Sequence, residues 1–293
     1  MKNCIVFSLF IFTILSGCID NGPVGFQSDV ERQATLSSLK KINNYPFYTM
    51  TYYGDYGLKN YLNNRTILFQ SKADMKTDGY MCTCFTSKGT DSSTLFGRNF
   101  DWHARIALLL FTNPPDGYAS MSMVHLTGLG YSSNYTLEDE KNREALLASP
   151  YWPVDGINEC GVAIGGMAVD RVEPPYDPNK KTLNRMVIMR LVLDYAKDLD
   201  DAIQLLNKYN FVFPNDPLHF IICDAAGNSA VVEFLDNELK VIRSKENWQV
   251  STNTILLKTR CLKQQIFILI MLIPGVNGDM LKFIRNLNPA KES

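Results

Sequence analysis

A thiol, a guanidinium and a carboxylate fall close together between Met81 and Trp102: Cys82, then Arg98 sixteen residues later and Asp101 nineteen residues later. Nucleophilic catalysis on a carbonyl uses these types. The thiolate attacks, a neighbouring cation stabilises it, and a carboxylate orients the group that takes the proton. Two short apolar and β-branched runs, Met81 to Thr86 and Thr94 to Trp102, flank a polar turn containing Lys88, Gly89 and Asp91. That pattern predicts a hairpin, with Cys82 on one strand and Arg98 and Asp101 on the next. Plainer readings compete: a Cys in a strand is commonly core, and an exposed Arg98-Asp101 pair would contribute only about 0 to 1 kcal/mol. Cys84, on the same strand face as Cys82, reads as core.

The elements around this hairpin follow from periodicity. Asp29 to Ile42 predicts a helix with Leu36, Leu39 and Ile42 on one face, and Tyr48 to Tyr56 reads as aromatic and irregular, so the segment before the hairpin reads as a small N-terminal subdomain. Ile106 to Phe111 is an apolar run, Ala119 to Leu126 alternates like a strand, and Ser132 to Pro153 is loop-rich with a helical patch at Asn142 to Ala148. Asn158 and Gly161 suit a tight turn with positive φ before the strand Val162 to Val169. Thr182 to Lys197 predicts a heavily buried helix. Asp198 then caps a second helix, with Ala202, Ile203, Leu205, Leu206 and Tyr209 on one face. Strands are expected at His219 to Asp224, Ser229 to Leu235 and Glu238 to Ile242.

Cys82-Thr83 followed by Gly97-Arg98-Asn99-Phe100-Asp101 resembles the cysteine N-terminal-nucleophile (Ntn) hydrolases, specifically the choloylglycine hydrolase and acid ceramidase group of linear amide carbon-nitrogen hydrolases. In that family a Cys-Thr pair begins the mature chain, and a Gly-Arg-Asn-x-Asp motif lies on the next strand. Asn158-Glu159-Cys160-Gly161 resembles the family's Asn-Glu-x-Gly hairpin, and Val250-Ser251-Thr252-Asn253 resembles its Val-Leu-Thr-Asn segment. Ten residues beyond the hairpin Asn, where bile-salt hydrolases carry an oxyanion-hole Asn, this chain has Ala168.

The resemblance implies an α+β fold, the four-layer α-β-β-α Ntn-hydrolase sandwich, and a cut at the Met81-Cys82 bond that frees the amino group of Cys82. It implies a catalytic set of Cys82, Arg98, Asp101 and Asn253. The α-amino group of a terminal Cys, with an ordinary pKa of about 7.7 to 8, accepts the thiol proton, so no histidine is required. Asp101 would orient that amino group, Arg98 would stabilise the thiolate and fix the strands, and Asn253 with a backbone N-H would hold the oxyanion. The implied reaction is hydrolysis of a non-peptide linear amide, of N-acyl amine, N-acyl amino acid or conjugated bile-acid type, through an acyl-Cys82 intermediate and without cofactor. Two alternatives stay open: an acyltransferase of the penicillin acyltransferase type, and an inactive lipid-anchored binding protein.

Composition bounds the partners. With 293 residues, 46% hydrophobic and 20% charged, the chain can bury a full core. A formal net charge of -1, from 29 basic and 30 acidic residues, offers no basic footprint for nucleic acid. Cys82-x-Cys84 lacks a second Cys or His pair at zinc-site spacing, so no metal site is expected. Lys2, the apolar stretch Ile5 to Leu15, and Ser16-Gly17 before Cys18 read as an export signal. Leu15-Ser16-Gly17-Cys18 also looks like a lipobox, which would put a lipid on Cys18 and anchor the protein to the outer face of a membrane; an ordinary signal peptide and secretion is the alternative. Residues 1-17 are then the signal. Residues 18-81 are a tether and N-terminal segment, removed or kept as a small subunit after processing. Residues 82-257 are the hydrolase domain, and residues 258-293 are a divergent or truncated C-terminal part. Removing Cys4 and Cys18 from seven cysteines leaves five, an odd number and a poor disulfide framework. A small-molecule amide is the expected partner, and homo-oligomerisation is left open.

Overall fold

The computed structural model describes residues 26-42, 44-64, 81-90, 93-101, 106-131, 137, 143-213 and 217-258. The expected leader with Cys18, the expected tether, His103, Cys261 and the tail from residue 259 lie outside them, and Met81 and Asp101 are described by their backbone alone. In chain order the strands are β1 (Lys40–Lys41), β2 (Phe47–Tyr52), β3 (Met81–Lys88), β4 (Thr94–Asp101), β5 (Ala107–Thr112), β6 (Ser120–His125) and β7 (Pro153–Asn158). They continue with β8 (Ala163–Ala168), β9 (Thr182–Asn184), β10 (Asn210–Val212), β11 (Leu218–Cys223), β12 (Ser229–Leu235), β13 (Glu238–Arg243) and β14 (Trp248–Thr252).

Nine of them form one sheet in the order β1-β2-β5-β6-β7-β8-β11-β12-β13, and β14-β3-β4 form a second. The expected hairpin is β3 against β4, antiparallel, with Cys82 opposite Phe100 and Met81 opposite Asp101. Helices α3 (Met186–Tyr195) and α4 (Leu199–Asn207) follow α1 (Asp29–Ser37) and α2 (Leu58–Asn64) in the chain. Helix α3 packs on β7, β8 and α4. The described residues thus build three successive layers of the α-β-β-α sandwich: helices, large sheet, small sheet.

Each face of the large sheet carries its own core. Phe220, Ile222, Val232 and Phe234 join Val187, Ile188 and Leu191 of α3 on one side. Alternate residues of the same strands, Ile221 and Val231, meet Cys82, Cys84, Met167 and Leu256 on the other. Every residue of β12 is buried, as expected of a strand covered on both faces. Close contact between sheets depends on Gly165, where an added Cβ would stand 2.7 Å from the Cys84 sulfur and 3.0 Å from the Phe96 ring. The core on this side is thin because the small sheet lies directly on that glycine.

Several expectations are corrected. Tyr48 to Tyr56 is irregular only after Tyr52: Phe47 to Tyr52 pair in parallel with Ala107 to Thr112, so the N-terminal segment is part of the main sheet and not a separate subdomain. Tyr48, Met50, Tyr52, Tyr56 and Leu58 enter the main core. The first helix stops at Ser37, behind a capping box of Ser28 and Glu31, and the chain turns to pair Lys40–Lys41 with β2. The predicted helix from Thr182 begins later, because Thr182–Asn184 pair with Asn210–Val212; Asn184 Oδ1 then accepts from Met186 N at 3.0 Å, opening α3. The patch at Asn142 to Ala148 is a 3-10 helix over Glu144–Tyr151. Asp198 caps α4 as expected, its side chain accepting from Asp201 N. Of Asn158 and Gly161, only Gly161 has positive φ, at 81°. Asn158 acts through its side chain, accepting from Val162 N at 2.9 Å and donating to the carbonyls of Leu193 at 3.1 Å and Ala196 at 2.7 Å.

Candidate active site

Strand pairing carries the three elements of the site to one place. β3 is the central strand of the small sheet, so Cys82 has a neighbour on both sides. On one side β4 brings Arg98 back toward it. On the other, Thr252 pairs with Thr83, which sets Asn253 beside Cys82 although 171 residues separate them.

The backbone N-H of Cys82 donates to Asn253 Oδ1, and Asn253 Nδ2 donates to the Ala168 carbonyl at 2.7 Å. Asn253 therefore ties the nucleophile strand to the end of β8. Its amide keeps one N-H beyond the bond to Ala168. The expected oxyanion donor is seen here mainly as the partner of the Cys82 nitrogen.

Arg98 is buried between the sheets and spans them. Its Nη2 lies 3.6 Å from Cys82 Sγ and donates to the Gly166 carbonyl at 2.7 Å. Its Nη1 donates to Asp155 Oδ2 at 3.0 Å and to the Val154 carbonyl. The guanidinium also sits 4.8 Å from the centre of the Phe100 ring. Arg98 is thus no surface group; the carboxylate that meets it among the described residues is Asp155, which sequence reading did not single out. Burial raises the Asp155 carboxyl above the ordinary carboxylate range, and the charge and hydrogen bond of Arg98 oppose that rise.

The two cysteines of β3 part company. Cys84 is wholly buried under Gly165, and burial pushes its thiol up to about 12, so it remains a thiol near neutrality. Cys82 instead lines a cavity of about 80 Å³. Phe100, Trp152, Met189 and Phe220 give that cavity apolar walls, with Arg98 and Arg185 as its charged groups. Ala168, at the place of the bile-salt hydrolase Asn, lines it too and brings no side-chain donor. His125 also contributes; burial and the nearby Arg98 push it down to about 4, leaving it neutral and a weak base near pH 7. Neither Trp152 nor His125 carries a sequence signal for this role: Trp152 closes the loop-rich run before β7, and His125 ends the alternating strand β6 with nothing in its spacing that points to Cys82.

The Asp101 backbone lies opposite Met81, which puts it at the junction where the chain would be cut. Met81, Cys82, Arg98 and Asn253 are thus gathered at one end of the small sheet.

Over 190 residues the chain is 26% identical to a penicillin V acylase of Pectobacterium atrosepticum, covering 55% of this chain and 50% of that protein. Among solved structures, a variant of the conjugated bile acid hydrolase from Clostridium perfringens matches with TM-score 0.45 at 19% identity, over 66% of this chain and 57% of that one. The penicillin V acylase from Agrobacterium tumefaciens matches with TM-score 0.36 at 19% identity, over 72% and 54% of the two chains. The chain spans about half the length of the relatives it matches. The profile of the linear amide C-N hydrolases, choloylglycine hydrolase family, matches residues 82–255. That match starts at Cys82 and covers more than half of the 293 residues, so the chain belongs to the choloylglycine hydrolase family of linear amide C-N hydrolases.

Proposed function

We propose that the chain is a self-processing cysteine hydrolase that opens a non-peptide linear amide through an acyl intermediate on Cys82. The observation that carries this reading is the placement of Cys82: its nitrogen is held by Asn253, its sulfur lies 3.6 Å from Arg98 Nη2, and it faces an apolar cavity.

Cutting Met81-Cys82 turns the Cys82 nitrogen into an amine. That amine takes the thiol proton, and the sulfur attacks the substrate carbonyl. Asn253 Oδ1 and the Asp101 carboxylate orient the amine, while the remaining N-H of Asn253 and a backbone N-H face the oxyanion. Losing one such donor typically costs about 10² to 10³ in rate. The amine passes its proton to the leaving nitrogen, and water then releases the acyl group from sulfur. The apolar walls suit an apolar acyl group, with the amine portion toward solvent.

The segment before the cut is proposed to remain as a small subunit, because β2 sits in the main sheet and Tyr56 Oη donates to buried Asp194 at 2.5 Å. The leader and the Leu15 to Cys18 string support export, with Cys18 as lipid anchor.

Mass spectrometry of the purified protein tests the core of this reading. A new amino terminus at Cys82 is expected, absent in Cys82→Ser, together with release of amine from a panel of N-acyl amines and N-acyl amino acids. A wild-type chain that stays uncut and leaves the panel untouched would overturn it.

A further inference from the structure

Between the two sheets, where the surrounding core is apolar, lie a histidine and a glutamate with no part in the chemistry above. His219 of β11 and Glu233 of β12 are each 1% exposed, and neither lines the cavity at Cys82. His219 Nδ1 is 3.1 Å from Glu233 Oε1, and His219 Nε2 is 2.7 Å from the Thr252 carbonyl. The Ser251 hydroxyl stands 3.4 Å from the same Nε2. On its other side Glu233 Oε1 accepts from Leu256 N at 2.6 Å and Oε2 from Leu257 N at 3.4 Å.

Both ring nitrogens of His219 therefore face oxygen. One ring nitrogen meets the Thr252 carbonyl and the other meets Glu233 Oε1, so the ring is held from both ends. Burying such a pair costs desolvation that two apolar side chains would avoid. What it obtains is a grip on the backbone immediately before Asn253, at Thr252, and shortly after it, at Leu256 and Leu257.

We propose that His219 and Glu233 are positioning residues that clamp the turn carrying Asn253, and through it fix the nitrogen of Cys82. The proposal rests on the reading of Cys82 as nucleophile and Asn253 as its partner. Neither residue of the clamp touches the reacting atoms. Their effect reaches Cys82 only by holding Oδ1 of Asn253 on its nitrogen and Nδ2 on the Ala168 carbonyl.

The test uses the full chain and its own Met81-Cys82 bond as substrate. Self-cleavage is timed in wild type, Glu233→Leu, Glu233→Gln, Asn253→Ala and the double variant Glu233→Leu with Asn253→Ala. Gln at 233 can still accept from Leu256 N and face the His219 ring. Glu233→Gln is therefore expected within threefold of wild type and Glu233→Leu at least tenfold slower. In the Asn253→Ala background, Glu233→Leu should add less than a further twofold, because residues that act through one another are not additive. Hydrogen exchange on the uncleavable Cys82→Ser chain gives a second measurement. His219→Gln there should speed exchange of the amides in 250-257 at least tenfold and leave β13 unchanged; it serves as the deciding variant where Glu233→Leu does not fold.

Folded Glu233→Leu that cuts at the wild-type rate, equal slowing in both backgrounds, or unchanged exchange in His219→Gln overturns the clamp alone. A wild-type chain that never cuts overturns the nucleophile reading and the clamp's role with it.

Discussion

Two buried arginines sit on opposite sides of the large sheet and serve different ends. Arg190, on α3, is wholly buried and pairs one turn along its own helix, Nε to Asp194 Oδ1 at 2.8 Å; its Nη2 donates to the Ser120 hydroxyl at 2.6 Å. Its charge also lies 5.6 Å from the centre of the Tyr56 ring, and Tyr56 donates to the same Asp194. Arg190 therefore fastens the N-terminal segment and α3 to the sheet. Arg98 makes a similar ion pair with Asp155, yet its other end lies against the Cys82 sulfur. A buried guanidinium alone does not mark a site; what differs is whether one of its N-H groups faces a reactive atom beside a cavity.

The comparison breaks first at Arg98. Arg98→Met should lower turnover by about 10² to 10³, the scale of a lost preorganised donor. It should also cost about 2 kcal/mol of stability, reduced from the range for fully buried pairs because Asp155 keeps 18% side-chain exposure. Turnover per folded molecule and urea unfolding measure the two separately.

Arg190→Met should give the reverse: about 3 to 5 kcal/mol of stability lost, since Asp194 is left buried without its cation. Turnover per folded molecule should stay within about threefold, below the scale of one lost donor. A large drop in turnover at Arg190, with stability intact, would erase the distinction.

Acid sharpens the contrast. His125, on the Arg98 side, is held near 4 in the fold against an ordinary 6.5, so between those values only the unfolded chain takes up the proton. Its contribution to stability is complete above 6.5 and is lost as pH falls toward 4, by about 2 kcal/mol at pH 5. His125→Gln should remove that increment from the difference between urea unfolding at pH 7 and at pH 5. Asp194, on the Arg190 side, runs the other way: burial raises its carboxyl to about 6, so its contribution declines as pH climbs from the ordinary carboxylate range through 6.

How much of this is legible in sequence depends on how far apart the partners are. The β3-β4 hairpin, the cap at Asp198 and the run Ser229–Leu235 are local, and their alternation and turn residues are sufficient to place them. Tyr48 to Tyr52 looks irregular by itself because its strand character comes from β5, which lies beyond the whole hairpin. Thr182–Asn184 is similar: apolar continuity with α3 suggests helix, and pairing with Asn210–Val212 overrides it. At the site, Cys82 and Arg98 are singled out by motif spacing and Asn253 by its resemblance to a family segment, and the fold brings the three together. Asp155 is missed because it meets Arg98 across the gap between sheets, 57 residues away, and nothing near it in the chain signals that contact.

The parallel pairing of β2 with β5 has a consequence for the lifetime of the molecule. The two strands lie on opposite sides of the Met81-Cys82 bond. Once that bond is opened as proposed, the main sheet is shared by two polypeptides, and refolding becomes a bimolecular encounter that dilution slows. The processed protein would then behave as a ratchet, assembled once as a single chain and persisting for as long as its unfolding rate allows.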